Sequence, residues 1–496
     1  MASLGDGRKE DRETDKPSIP EGERERFEGI GAALTDSFLL FWRIAVQALP
    51  PVPRSVVSGP AIWLRLFLNS RATAMASVAA QGLTTLLAAL GARLLGSEAY
   101  GTYSTLMTCA GWLSIVASYP VTALVAKLVA DSRQANQPFE DLCTAALYLV
   151  LGICTLAAVL APFLIPTILP LYRVKDDNNI ALVASIWVVS SAFSNAVLSL
   201  LQSIGRLRLW SILFTVFALT PIAFVSTAAA LHPLNLNEYV WAIALAGGAN
   251  SLCGAGVSIY LLSPRAFARP RFSVLRRLVR AGLGPWLAST SNMIAYLMVN
   301  TIIVLHIGQV ELGYYHLVST LGGLVFTVGV SVRVPSLYQW AKMTAEGRLY
   351  SLRRDFRVGQ WATTSAFAWV AAGAFIFAPQ ILELFYGEEF RAAASLLRIA
   401  SISWVVAGFG AWYYTCFSAM GHPGLVIVPN IFFGGLRLAI TWVLVAAVGA
   451  GIHGALIAVV IAHAVWAAAY ELFFRRLFRR ELARADDGKL VSERPA

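Results

Sequence analysis

Charge is what this sequence has least of. Asp, Glu, Lys and Arg make up 14% of its 496 residues, against about 25% in soluble domains. Carboxylates are scarcer still within the apolar stretches: Glu98, Glu311, Glu383, Glu388 and Glu389 fall at their edges, and Glu471 lies near an end. No clustered carboxylates, P-loop, HExxH or GxSxG pattern occurs, so the common hydrolase and nucleotide-driven chemistries have no residues to use. Cysteine is equally unhelpful to a chemist. The five, Cys109, Cys143, Cys154, Cys253 and Cys416, form no CxxC pair and lie in or beside apolar segments, where a free thiol acts as a small buried hydrophobe. Neither a zinc site nor a disulfide framework follows, and no metal or cofactor is expected.

What remains is a chain that needs lipid as its solvent. It is 57% hydrophobic, with a mean hydropathy of +0.65. Beyond Arg71 it reads as apolar runs of spanning length, at 72–95, 103–127, 143–169, 180–203, 209–231, 239–262, 281–306, 315–337, 360–385, 393–419, 424–447 and 452–473. The expected fold is an all-α integral membrane protein with about twelve transmembrane helices. Residues 1–28 are rich in charge and poor in apolar side chains, the composition of a disordered cytoplasmic tail. Residues 29–68 contain Phe38–Leu49, too short to span and closed by Pro50, Pro51 and Pro53, which suits an amphipathic interfacial segment; whether it enters the membrane is left open.

The net charge of +11 sits mostly in joints and tails, which argues against nucleic acid. With a cytoplasmic N-terminus, the inner joints carry sixteen Lys and Arg and the outer joints three, Arg173, Lys175 and Arg391. The basic tail 474–496 adds Arg475, Arg476, Arg479, Arg480, Arg484 and Lys489 on the inner side. Both termini are therefore expected in the cytoplasm. Two longer inner joints, 263–280 and 338–359, are basic and partly amphipathic, and should lie on the inner leaflet among anionic membrane lipids. Every outer joint is too short for an extracytoplasmic domain.

The chain also repeats itself. Gly96-Ser-Glu-Ala-Tyr-Gly101-Thr-Tyr103 returns as Gly308-Gln-Val-Glu-Leu-Gly313-Tyr-Tyr315, an offset of 212. Ile168-Leu169-Pro-Leu171 pairs with Ile381-Leu382-Glu-Leu384, Trp187 with Trp404 and Gly205 with Gly421, at offsets of 213, 217 and 216. Common order and near-constant offset imply a duplicated unit: bundles at 72–262 and 281–473, joined by a linker at 263–280. Twelve spans repeated in the same topology give two pseudo-symmetric six-helix bundles, related by an axis along the membrane normal and enclosing a central path.

These stretches, with Leu200-Leu-Gln202-Ser-Ile-Gly205-Arg206, Ile381-Leu-Glu-Leu-Phe-Tyr-Gly387-Glu-Glu-Phe-Arg391, Leu396-Leu-Arg398-Ile and Gly451-Ile-His-Gly454-Ala-Leu, resemble the polysaccharide transporter branch of the multidrug/oligosaccharidyl-lipid/polysaccharide (MOP) exporter superfamily. The resemblance runs from about residue 70 to 475 and implies a MATE-like fold. It also implies a non-enzymatic flippase, working by alternating access, that moves undecaprenyl-diphosphate-linked oligosaccharide across a bacterial inner membrane for lipopolysaccharide or exopolysaccharide synthesis. Lipid-linked oligosaccharide, glycosyltransferases and a polysaccharide polymerase would be its partners, and a monomer its form. A multidrug antiporter of the same superfamily and a membrane glycan polymerase or ligase are the alternatives. The shortage of carboxylates disfavours the first, and the lack of a long outer loop the second.

Charges at membrane depth cost roughly 2.5–3.5 kcal/mol on insertion scales, so they are the first candidates for binding substrate. Arg437 lies mid-run, and Asn430 seven residues earlier shares its helix face; together they are expected to line the cavity and meet a diphosphate or acidic sugar. Arg93, Arg333 and Arg398 stand nearer run ends, where they could bind the same anion or simply snorkel to the interface. His463 is a candidate for coupling transport to protons, its plainer role being a hydrogen-bonded packing residue.

Overall fold

The computed structural model describes residues 71–117, 140–174, 180–204, 206–262, 272–422 and 424–492. The two N-terminal segments, 1–28 and 29–68, lie outside the described residues, as does Gly205. The architecture below belongs to the described residues of the unit 59–496.

Long apolar runs leave the backbone only one way to satisfy itself in lipid, the helix. The helices are α1 (Arg71–Ala117), α2 (Glu140–Ile168), α3 (Ile180–Ser203), α4 (Leu207–Leu231), α5 (Leu236–Leu262), α6 (Phe272–His306), α7 (Gln309–Ala345), α8 (Leu349–Ile376), α9 (Ala378–Tyr386), α10 (Ala394–Gly410), α11 (Tyr413–Ala419), α12 (Gly424–Trp442) and α13 (Gly451–Ser492). Eight of the described helices are long and apolar enough to cross a membrane, and α8 with α9 makes a ninth span bent by 81°. Gly96 leaves helical geometry inside α1 (φ 74°, ψ 175°), which divides that helix into two spans. With α6 and α7, the count among the described residues is twelve spans, six before residue 263 and six after it.

Helices end where their residues require it. Gly96, Gly308, Gly347, Gly387 and Gly421 all adopt positive φ, a conformation nearly closed to side chains with a Cβ. The spans alternate between two ends. One, called the glycine end below, carries the turns at Gly96, Gly308 and Gly387; the other, the tail end, carries those at Gly347 and Gly421 and the last turns of α13.

The structure corrects several sequence boundaries. The expected single span 360–385 is broken at Phe377, because Pro379 opens α9 and a proline cannot continue the preceding helix. The expected span 393–419 holds as one span, Glu388–Ala419, with a short turn at residues 411–412 separating α10 from α11. The joint 338–359 does not form a separate surface helix: α7 runs on to Ala345, turns at Gly347 and enters α8 directly. Residues 272–280 of the linker are the opening turns of α6, and residues 474–492 continue α13 as one helix.

Large apolar side chains cover the outside, among them Phe163, Leu252, Tyr260 and Trp369, the last 81% exposed. Small residues fill the contacts within. Ala76, Ala80, Ala88, Ala89 and Ala92 are buried along the first limb of α1, allowing the close helix approach on which membrane packing relies. Hydroxyls bond back one turn, as Ser104 does to Tyr100 O (2.9 Å) and Thr108 to Ser104 O (3.0 Å). In α4, Pro221 leaves the carbonyl of Phe217 without its helical donor, and Asn250 of α5 supplies one at 2.9 Å.

Candidate functional site

Asn430 and Arg437 sit two turns apart on α12, a helix that admits Pro429 in its first turns. They face a cavity of about 370 Å³. Its other walls come from Asn292 and Ala295 of α6, Phe326 and Gly329 of α7, Phe367 of α8, Ala407 of α10, and His463 and Trp466 of α13. Every wall residue belongs to the second half. Phe367 reaches the cavity because Gly329 and Gly408 have no side chain: a Cβ on either would come within 2.8 Å of its ring.

Arg437 is the electrostatic centre of this space. Nε and Nη2 of its guanidinium are buried and have no hydrogen-bond partner. Its nearest compensation is the face of Tyr296, with the ring centroid 6.0 Å away. A guanidinium withdrawn from water without a counter-charge is costly, and a pocket holding one is complementary to an anion. His463 Nδ1 is also buried and unpartnered, whereas Asn430 Oδ1 accepts a hydrogen bond from the Tyr470 hydroxyl at 3.1 Å. Three of the six candidates chosen from sequence thus share one cavity: Arg437, Asn430 and His463.

Arg93 and Arg398 do not join them. Arg93 donates to the carbonyls of Phe385 (3.0 Å) and Leu384, closing the end of α9 from the opposite half. Arg398 donates to Phe375 O at 3.2 Å, with its guanidinium 5.9 Å from the Phe375 ring. Both satisfy orphan carbonyls at helix C-termini, a favourable place for a cation. Arg333 lies on α7 and its side chain is outside the described residues.

One group was not legible as a site in the sequence. Arg357 of α8 makes a bidentate pair with Glu471 of α13 (2.6 and 2.9 Å). Arg475 and the Tyr413 hydroxyl also donate to that carboxylate, and Gln360 bonds both Tyr413 and the Phe409 carbonyl. A packed aromatic cluster surrounds the network: Phe356 stacks on Phe474 at 4.2 Å, and Arg357 lies 4.8 Å from the Phe474 centroid. The spacings Arg357/Gln360 and Glu471/Arg475 place each pair on one helix face; that the two faces meet is a tertiary fact.

This arrangement of spans is that of a known transporter fold. An inward-facing multidrug resistance MATE transporter of the MOP superfamily superposes with a TM-score of 0.69 at 16% identity, over 83% of this chain and 99% of that one. The outward-facing conformation of a multidrug resistance MATE transporter gives 0.60 at 16%, over 84% and 96%. A MOP superfamily transporter from Pyrococcus furiosus, described as having a binding pocket of reversed polarity, gives 0.60 at 16%, over 83% and 96%. No curated protein matches the sequence. The class is therefore clear: an all-α, multi-pass membrane protein with the transporter fold of the MOP superfamily, its helices in two pseudo-symmetric bundles. Residues 67–338 match the family described as "Polysaccharide biosynthesis protein". The chain belongs to that family.

Proposed function

We propose that the protein is a flippase carrying undecaprenyl-diphosphate-linked oligosaccharide across a bacterial cytoplasmic membrane for polysaccharide or lipopolysaccharide synthesis. The observation that carries this reading is Arg437, whose buried guanidinium nitrogens face a cavity with no protein partner. A cationic drug would be repelled there, while a phosphate or an acidic sugar would complete the guanidinium's hydrogen bonds. The carboxylate a cationic cargo would need is engaged, since Glu471 is held by Arg357 and Arg475. Family membership supplies the glycan context, and the excess of basic residues at the tail end fits cytoplasmic termini. On this reading glycosyltransferases supply the cargo on the cytoplasmic side, a polymerase consumes it outside, and the protein works as a monomer. His463 remains a candidate for coupling, placed beside the anion rather than in a path of its own.

The direct test is a deletion strain, which should accumulate the undecaprenyl-diphosphate oligosaccharide on the cytoplasmic leaflet and lose extracellular glycan. Charge-assisted hydrogen bonds contribute roughly 1.5–3 kcal/mol. Arg437→Ala should therefore lower export about ten- to a hundredfold at unchanged protein level, with Arg437→Lys retaining part of it. Normal export by Arg437→Ala would remove this residue from the site. Drug sensitivity of the deletion strain with intact glycan would replace the flippase reading with an antiporter.

A further inference from the structure

The duplicated glycine turns do more than end helices. They meet. A Cβ placed on Gly313 would lie 3.1 Å from the Gly101 Cα and 3.2 Å from its nitrogen, and one on Gly101 would lie 2.5 Å from the Gln309 carbonyl oxygen. The same motif position from each half is thus pressed backbone to backbone against its own counterpart. Neither residue can carry a side chain there without moving the halves apart.

The rest of each motif binds the other half. Thr102 donates to Gln309 Oε1 at 2.9 Å, and the Tyr100 hydroxyl is hydrogen-bonded with His316 Nδ1 at 3.1 Å. Tyr100 also meets Phe390 edge-on, with centroids 6.3 Å apart. Arg93 adds its bonds to the α9 carbonyls from one turn before Gly96. All these contacts join the two halves at the glycine end.

We propose that this self-paired glycine seam is the gate of the transporter at the glycine end, opening when the halves rock apart. Its construction suits a contact that must break repeatedly. Glycine backbones touch without interlocking side chains, so separation meets no rotamer barrier. Of the polar groups released, Thr102 already has an intrahelical acceptor in Glu98 O at 3.2 Å and Arg93 can reach the interface, while the Tyr100 hydroxyl and His316 Nδ1 part and meet the water that enters. The axis relating the two bundles passes between two equivalent residues, so both halves can withdraw by the same motion.

The transport role rests on the flippase reading above; the separation of the halves does not, and two measurements keep them apart. In a variant with its five cysteines replaced, Thr102→Cys and Gln309→Cys are joined by a short cleavable bis-thiol reagent. Extracellular glycan in the deletion strain should fall at least tenfold and return on reduction. Separately, spin labels on Leu171 and Leu384, both exposed at the glycine end on opposite halves, report distance in purified protein. Gly101→Leu should lengthen that distance, and Gly313→Ala should do so to a smaller extent. Unchanged export by the cross-linked protein would overturn the gate. So would unaltered label distances in both glycine variants. If the reduced protein exports no glycan but the distances lengthen, the seam stands and the flippase reading falls.

Discussion

Pro221 lies inside α4 and cannot donate to the carbonyl of Phe217 one turn earlier, so Asn250 of α5 reaches across to do it. In lipid no water can take that role. Asn250→Ala should lower stability to unfolding in detergent, by about 1 kcal/mol on the scale of an unmade buried hydrogen bond. In a Pro221→Ala background the same change should cost less, because alanine restores the helical donor; equal losses in both backgrounds would deny the link. Glu471 makes a second residue-scale case. Glu471→Gln leaves Arg357 and Arg475 around a neutral amide, and losing charge-assisted hydrogen bonds in this part-buried network costs about 1.5 kcal/mol. The double replacement Arg357→Met with Glu471→Leu should unfold at a higher temperature than Glu471→Gln alone. In the sequence Asn250 is a polar residue in an apolar run, suited to lining a path or bridging helices, and Glu471 is a carboxylate near a run end. Their meaning depends on partners 33 and 114 positions away, and no local pattern encodes those.

At the scale of elements, the apolar runs were plain in the sequence, since solvation in lipid leaves little choice. The break of α8 into α9 was not. Phe377–Tyr386 is as apolar as what precedes it, and only Pro379 marks the turn. The face shared by Asn430 and Arg437 followed from helical spacing alone, while the arrival of His463 on a neighbouring helix required the packing of α13 on α12. Glycines also divide by element. Gly82 is helical, and a methyl group added there would meet nothing within 4 Å, so Gly82→Ala should stabilise the first limb of α1 by roughly 0.5–1 kcal/mol. Gly96→Ala should destabilise by about 1–2 kcal/mol, since an L residue resists its φ of 74°. Thermal unfolding of the two variants side by side, in one detergent, checks the opposite signs.

The whole molecule is two bundles, and the charge pattern predicts how they sit in the bilayer. A phosphatase reporter, active only outside the cytoplasm, should be silent when fused after Ser492 and active when inserted at Lys175. The reverse pattern would invert the orientation and place the gate on the other face. The gate is made by both halves, the cavity by one. The Arg437 cavity is walled by the second half alone, so rocking of the bundles changes its access rather than its shape.

The meeting of Gly101 with Gly313 has one more consequence. A two-fold contact between identical chains is self-complementary, so one residue serves both sides of it. Two separate copies of a six-helix chain, standing side by side in the same orientation, would bring the same glycine to the shared axis from each partner. In such a dimer any substitution is made twice over, and a bulky one collides with itself. Joining the copies into one chain lifts that restriction: each glycine can then be altered alone, and the two faces of the seam become free to differ.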